Sequence, residues 1–237
     1  MIKFFRKIRQ NLLLEGKTGK YFKYAIGEIA LVVIGILIAL QINNWNENRK
    51  TKQFEHKILN DIKSSLQDNL FEFRLAIKCN KNAVLSANLV LNNLNENLPY
   101  NDSLDVHFSK AVQWCTPTLY NGGYASLKTY GVNLITNDSI RDMLGIFDGS
   151  WIPTLGRRQE EYFYNTASPI LAELFDKVAM RTKMKPFKYD ALKNSNKFIS
   201  VINTSIALRE DQIKFYSDWL ESLIWLDKMI DIELKKQ

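Results

Sequence analysis

Residues Tyr24 to Asn46 read YAIGEIALVVIGILIALQINNWN. Glu28 is the only charge, and Ile29 to Leu40 is unbroken apolar sequence. The step from Tyr24 to Trp45, taken as a helix at 1.5 Å per residue, is about 32 Å. That matches a bilayer hydrocarbon core of roughly 30 Å. Tyr21 and Tyr24 stand at one end and Trp45 at the other, where interfacial aromatics belong. The segment reads as a transmembrane helix over 24–45.

The flanks give it a direction. Residues 1–23 hold Lys3, Arg6, Lys7, Arg9, Lys17, Lys20 and Lys23 against the single acid Glu15. Of the net charge of +7, six units therefore precede the apolar run. Cationic flanks stay on the cytoplasmic side. The expected layout is a basic cytoplasmic segment over 1–23, the membrane helix, and a domain over 46–237 on the far side. In a bacterium this is a single-pass protein of the inner membrane with a periplasmic domain. Ile2, Phe5, Ile8, Leu12 and Leu13 recur at helical spacing between the first basic residues, which suits an amphipathic helix lying on the inner lipid surface.

Two other readings compete. A cleaved signal peptide would share the basic flank and the apolar run. However, 23 residues precede the run, and Ala39-Leu40-Gln41-Ile42-Asn43 offers no small-residue cleavage site. A buried core helix would share the apolar run but not the aromatic ends or the one-sided charge.

From Asn44 onward, 25 Lys and Arg face 23 Asp and Glu. That near balance gives no support to a nucleic-acid partner, which needs a basic face on the folded domain. The chain has only 10 Gly and 5 Pro among 237 residues, a composition that favours helices over turn-rich sheets.

The stretch from Met1 to Lys50 resembles the N-terminus of a family of uncharacterised membrane proteins from Bacteroidota. The resemblance rests on Glu15-Gly16-Lys17 through Tyr24-Ala25 to Gly27-Glu28, and on Gln41-Ile42-Asn43-Asn44-Trp45. A second block, Leu127-Lys128 through Gly131 to Leu134-Ile135-Thr136-Asn137-Asp138-Ser139-Ile140-Arg141, is similar to that family's second motif. The resemblance implies an inner-membrane anchor with a periplasmic domain, and no activity.

Beyond the membrane the apolar period is helical. Phe54, Ile58, Ile62, Leu66, Leu70, Phe73, Ile77, Val84, Ala87, Leu91 and Leu94 predict one very long helix, or two in line, over 47–96. NENLPYND (95–102) breaks it. Short helices are expected at 103–114, 124–130 with Gly131 closing it, and 139–147 capped by Asn137 or Asp138. A helix over 156–180 carries Pro169 as a kink. Residues 181–195 read as a polar linker, and a last long helix covers 197–235. The fold class is all-α: a transmembrane helix followed by an antiparallel bundle whose main pair is the two long helices.

Chemistry is sparse. His56 and His107 have no metal-spaced partners, and no Glu-x-x-His, nucleophile elbow or phosphate loop is present. We expect no enzyme, no metal and no cofactor. Cys79 and Cys115 allow one internal pairing, a disulfide in an oxidising compartment or else two core thiols. Gly131, Asn137, Asp138 and Arg141 suit either a recognition surface or helix capping with an Arg on a carbonyl or carboxylate. Glu28 is the most informative residue, because a carboxylate in hydrocarbon is costly unless neutral, paired or near water. Gly35 and Ala39 form a small-x-x-x-small face for close helix contact.

Three functions follow. One is a membrane-anchored interaction, scaffold or sensor-like module, with the bilayer and a protein partner or homo-oligomer contacted through the membrane helix. Another is a single-span subunit of a transport or energised envelope complex that uses Glu28. Replacing Glu28 should spare the tether and abolish the energised function. The third is a small-ligand sensor, which an apolar void of water size or larger in the distal half of the bundle would favour.

Overall fold

The computed structural model describes residues 18–236, without the side chains of Thr18, Lys20 and Tyr21. The amphipathic segment over 2–13 and the basic residues Lys3 to Lys17 lie outside the described residues. The described chain is helical, with no strand and one isolated bridge between Phe175 and Pro186. It divides into two compact units, Met1–Glu55 and His56–Gln237.

One helix, α1 (Thr18–Asn95), passes through both units. No Gly or Pro occurs between Gly35 and Pro99, so nothing in the chain breaks it. Past the apolar run, polar residues hold it by local pairs. Glu47 accepts from Lys50 at 3.0 Å and from the Thr51 hydroxyl, through its carbonyl, at 3.0 Å. The Arg49 guanidinium lies 5.7 Å from the Trp45 ring centre. The helix ends where Asn97 turns left-handed at φ 54°. The Leu98 N–H then reaches back to the Asn93 carbonyl at 3.0 Å, closing the last turn, and Pro99 follows.

In the first unit, the helix is long and apolar enough to cross a membrane. Its best eighteen-residue window has mean hydropathy 2.5 and is 0% buried. Leu31, Ile34, Leu37 and Ile38 each expose more than half of their surface.

The second unit packs α1 from His56 onward against six shorter helices and a final long one. These are α2 (Leu104–Ala111), α3 (Gly122–Tyr130), α4 (Asp138–Asp148), α5 (Ile152–Tyr162), α6 (Ser168–Leu174), α7 (Tyr189–Lys193) and α8 (Asn196–Leu234). Partners along α1 and α8 run in opposite sequence order. Lys63 pairs with Asp231, Gln67 donates to Asp227 at 2.7 Å, and the rings of Phe73 and Tyr216 are 5.9 Å apart.

The core has two apolar lobes. One gathers Ala87, Val90 and Leu94 of α1 with Phe108, Phe175, Met184 and Phe198. The other holds Ile62, Leu66, Phe73, Leu144, Phe147 and Leu226. Ser195 caps α8 by accepting from the Phe198 N–H at 3.2 Å.

Two expected elements differ. The helix over 156–180 is interrupted by a wide π turn, Phe163–Ala167, and ends at Leu174. Pro169 has no N–H and crowds the carbonyl four residues back, that of Asn165, which lies within the π turn where the regular ladder is already interrupted. Phe175 is then extended (φ −126°, ψ 151°) and pairs with Pro186. The polar linker over 181–195 in fact buries Met184 and Leu192 completely. Its polar appearance comes from the Lys and Asn residues that alternate with those two anchors.

Gly123 is where α3 meets α1. A Cβ there would lie 2.5 Å from the Ile62 backbone nitrogen, and backbone cannot move aside. Gly123→Ala should destabilise the second unit by about 2 kcal/mol, whereas Gly122→Ala, with nothing within 4 Å, should not. Denaturant unfolding of the full chain in detergent checks both. Equal midpoints for the two variants would contradict this packing.

Candidate functional site

Between the apolar lobes lies a layer of buried polar side chains, among them Asn69, Asn80, Gln159, Arg209 and Gln212. It is organised around the segment Val112–Asn121, which joins α2 to α3 and has no regular structure of its own. Side chains from α1 hold that backbone. Asn80 donates to the Cys115 carbonyl at 2.8 Å and accepts its N–H at 3.1 Å. Asn69 does the same to Tyr120, at 2.8 Å in each direction. Glu72 accepts from the Thr118 N–H at 3.1 Å. Each asparagine amide thus pairs as a strand neighbour would.

Cys79 and Cys115 are joined in a disulfide, with their Cα atoms 6.1 Å apart. It fixes the same segment one residue from Asn80. Gln113 lies over the bond, its Nε2 3.6 Å and 3.7 Å from the two sulfurs.

Arg209 closes the layer from α8. It is 2% exposed. Its Nε donates to the Gln113 carbonyl at 3.0 Å, Nη2 to the Val112 carbonyl at 3.1 Å, and Nη1 to Gln159 Oε1 at 2.7 Å. No carboxylate takes part in these three bonds. The guanidinium caps the C-terminal end of α2, where cations are favoured. Burial pulls its pKa down to about 10. Gln212 and Tyr216 continue the layer, with the amide 3.3 Å from the phenol oxygen.

The second sequence block forms a corner. Gly131, at φ 101°, ends α3 with its N–H on the Leu127 carbonyl at 2.9 Å. Asn137 caps α4 by accepting from the Ile140 N–H at 3.3 Å, and its amide donates to Glu233 at 2.9 Å. Arg141 donates to the Ile135 carbonyl at 2.8 Å and pairs with Asp138. The Asn137 amide and Lys236 hold the Glu233 carboxyl below its usual range. The geometry is that of a cap tied to the end of α8, with Gly131 and Asp138 exposed and Asn137 and Arg141 half-buried.

In the first unit Glu28 is half-buried, and a Cβ built on Gly35 meets nothing within 4 Å. Ala39 is exposed. The small-residue face is therefore open to a neighbouring helix. Among the described residues no group of three His, Cys, Asp or Glu is placed to hold a metal ion. His107 is tucked against Ser86, its Nδ1 3.1 Å from the hydroxyl. A cavity of about 60 Å³ lies among Ile62, Leu66, Tyr124, Leu144, Phe147 and Leu226. That is room for a few waters, well below the size of a small-molecule site. It sits in the lobe nearest His56, and not in the distal half.

Sequence reasoning missed Arg209 and the asparagine straps. A signal was present: Phe198, Ile202, Ser205, Arg209, Gln212 and Tyr216 keep helical spacing, so Arg209 occupies a position where the pattern calls for burial.

A family model described as a family of unknown function (DUF6090) matches residues 28–125. The match opens at Glu28, takes in α1 to its end, α2 and the strapped segment, and stops inside α3. The second sequence block lies beyond it. No curated protein and no solved structure matches the chain.

The buried Arg209 and the half-buried His107 each give a stability test. Arg209→Lys should lower stability by roughly 2–3 kcal/mol, because one ammonium cannot span three separated acceptors that stay buried. Denaturant midpoints of the full chain measure this, and a lysine variant as stable as the parent would refute the clamp. For His107, burial first and the Lys110 cation second hold the pKa below 6.5. The unfolded chain therefore takes its proton first as pH falls. The neutral histidine's contribution is full above pH 6.5 and is lost as pH drops below it. Glu233 acts only at lower pH, being depressed from 4.5. Melting temperatures at pH 7 and pH 5.5 should differ more for the parent than for His107→Gln, and identical differences would exclude His107 as the cause.

Proposed function

We propose that this protein is a single-pass inner-membrane protein whose bundle is a periplasmic interaction, scaffold or sensor-like module. The observation that carries the proposal is the apolar window of α1 with mean hydropathy 2.5 and no buried surface. A soluble core helix of that hydropathy would be covered, since exposed apolar area costs about 25 cal/mol per Å². The six-unit positive excess over 1–23 supports a cytoplasmic N-terminus. A disulfide between Cys79 and Cys115 suits an oxidising periplasm. The resemblance to Bacteroidota membrane proteins agrees with that address.

An antiparallel helical bundle is a natural interaction module, because its rigid outer faces are free to vary. The polar layer supports the module reading over catalysis. Asn69, Asn80 and Arg209 bond to backbone groups, and Arg209 also to Gln159, so these side chains are used in holding the fold. In the membrane, Gly35 and Ala39 offer the face for a homo-oligomer or a partner helix. The alternative, a subunit of an energised complex, rests on Glu28 alone, and the Glu28→Gln phenotype separates the two.

Topology is tested by fusing alkaline phosphatase or a green fluorescent protein after Gln237. Phosphatase activity with a dark fluorescent fusion is the expected outcome. Cytoplasmic fluorescence with inactive phosphatase would reverse the orientation and remove the oxidising compartment from the argument.

A further inference from the structure

The soluble part of the chain hides a charge imbalance. Residues 176–188, DKVAMRTKMKPFK, hold five basic residues and one acid. This one loop is +4, so the rest of the chain from Asn44 onward is −2. The loop is a hairpin-like staple. Asp176 and Lys185 exchange bonds (Asp176 N–H to the Lys185 carbonyl at 2.9 Å, Lys185 N–H to Asp176 Oδ1 at 3.0 Å), and Phe187 N–H reaches the Leu174 carbonyl at 2.9 Å. Met184, fully buried, pins it to the core.

The apex of this staple leans over α2 and forms a groove of about 480 Å³. From α2 come Val106, Ser109 and Lys110, and from the loop Met180, Arg181 and Lys183. No Asp or Glu lines it. Among the described residues none of its three cations forms an ion pair, though six other pairs occur. Ser109 is 0% exposed, and its hydroxyl has no hydrogen-bond partner. The usual outlet for a helical serine is the carbonyl four residues back. Here that carbonyl, of Asp105, already receives the Met184 N–H at 3.0 Å. A buried hydroxyl without a partner is costly, and the three cations, each an exposed side chain, have no carboxylate beside them in the groove. One anionic ligand answers both.

We propose that this groove binds a phosphate group, with Lys110, Arg181 and Lys183 pairing its oxygens and the Ser109 hydroxyl donating from the floor. Three cations about a hydroxyl call for a ligand with more than one charge and more than two oxygens, which a phosphate has and a single carboxylate lacks. Val106 and Met180 leave an apolar wall for whatever carries the phosphate. The inference goes beyond the module reading and is independent of membrane orientation.

The experiment uses the full chain in nanodiscs. In discs of phosphatidylcholine, whose own net charge is zero, radiolabelled inorganic phosphate is titrated by equilibrium dialysis. Saturable binding at one site per chain is expected. Arg181→Gln and Lys183→Gln should each weaken it by roughly tenfold or more, Ser109→Ala should weaken it further, and Lys57→Gln on the outer face of α1 should not. Circular dichroism confirms that each variant is folded. A second arm places the chain in phosphatidylglycerol discs and follows hydrogen exchange over 177–185. Protection there that Arg181→Gln abolishes, without binding of free phosphate in the first arm, identifies a lipid headgroup as the source and supports the same chemistry. Binding that ignores all three groove substitutions, or no binding and no protection in either arm, overturns the proposal.

Discussion

The backbone between Cys115 and Tyr120 has neither a helix nor a sheet to satisfy it, yet it lies against the core. Unpaired buried peptide groups cost about as much as lost hydrogen bonds. Asn69, Glu72 and Asn80 on α1 supply the missing partners at 2.8–3.1 Å. They can do so because their spacing of three and eight keeps all three on one side of a long, unbroken helix. The disulfide adds a covalent tie at the same place. Its sequence separation of 36 implies a reduction of unfolded-chain entropy worth about 4 kcal/mol. The remainder of the second unit is built around this strapped segment. α2 enters it, α3 leaves it through the tight contact at Gly123, and α8 closes over it.

That closure explains why an arginine sits in the interior. A guanidinium without a carboxylate is an expensive group to bury. The segment leaves two carbonyls, of Val112 and Gln113, pointing at α8 at the end of a short helix, and Gln159 brings a third oxygen. A planar donor with a fixed fork reaches all three, which no apolar residue could do. The polar layer so formed splits the core into two lobes. Sliding α8 by one turn, about 5.4 Å, would carry the guanidinium away from these acceptors and leave them bare. The layer thus fixes the register of the two long helices, where apolar packing alone would tolerate shifts.

Much of this was legible in the sequence for a physical reason. Long helices advertise themselves through repetition: the expected 47–96 and 197–235 compare with an observed end of α1 at Asn95 and with Asn196–Leu234 for α8. The break at 95–102 was equally clear, because Pro99 stops helices generically and Asn97 is a residue that accepts the left-handed turn. The missed features depend on groups far apart in the chain. The burial of Met184 is set by Asp105, seventy-nine residues earlier, and the roles of Asn69 and Asn80 by a loop that has no pattern. The π turn at Phe163–Ala167 had no sequence signal of its own, because Pro169 signals strain but not how the chain absorbs it. Arg209 was visible only as an exception, a charge on an apolar stripe, and exceptions are read with confidence only once their partners are known.

The stretch matched by the family of unknown function, 28–125, stops just past Gly123. It contains the apolar segment, the straps and the strapped loop, which together make a scaffold but no enclosed site. Arg209, the corner at Asn137 and the basic staple all lie outside it. The phosphate groove straddles that boundary, with Ser109 and Lys110 inside the matched stretch and Arg181 and Lys183 beyond it. A wall shared in this way makes the specificity of the groove a property of how α2 and the staple are held together, through the single bond from Met184 to Asp105 and the anchor of Met184 in the core. Ligand binding and the packing of the distal lobe are therefore coupled, and anything that loosens the staple should loosen the ligand with it.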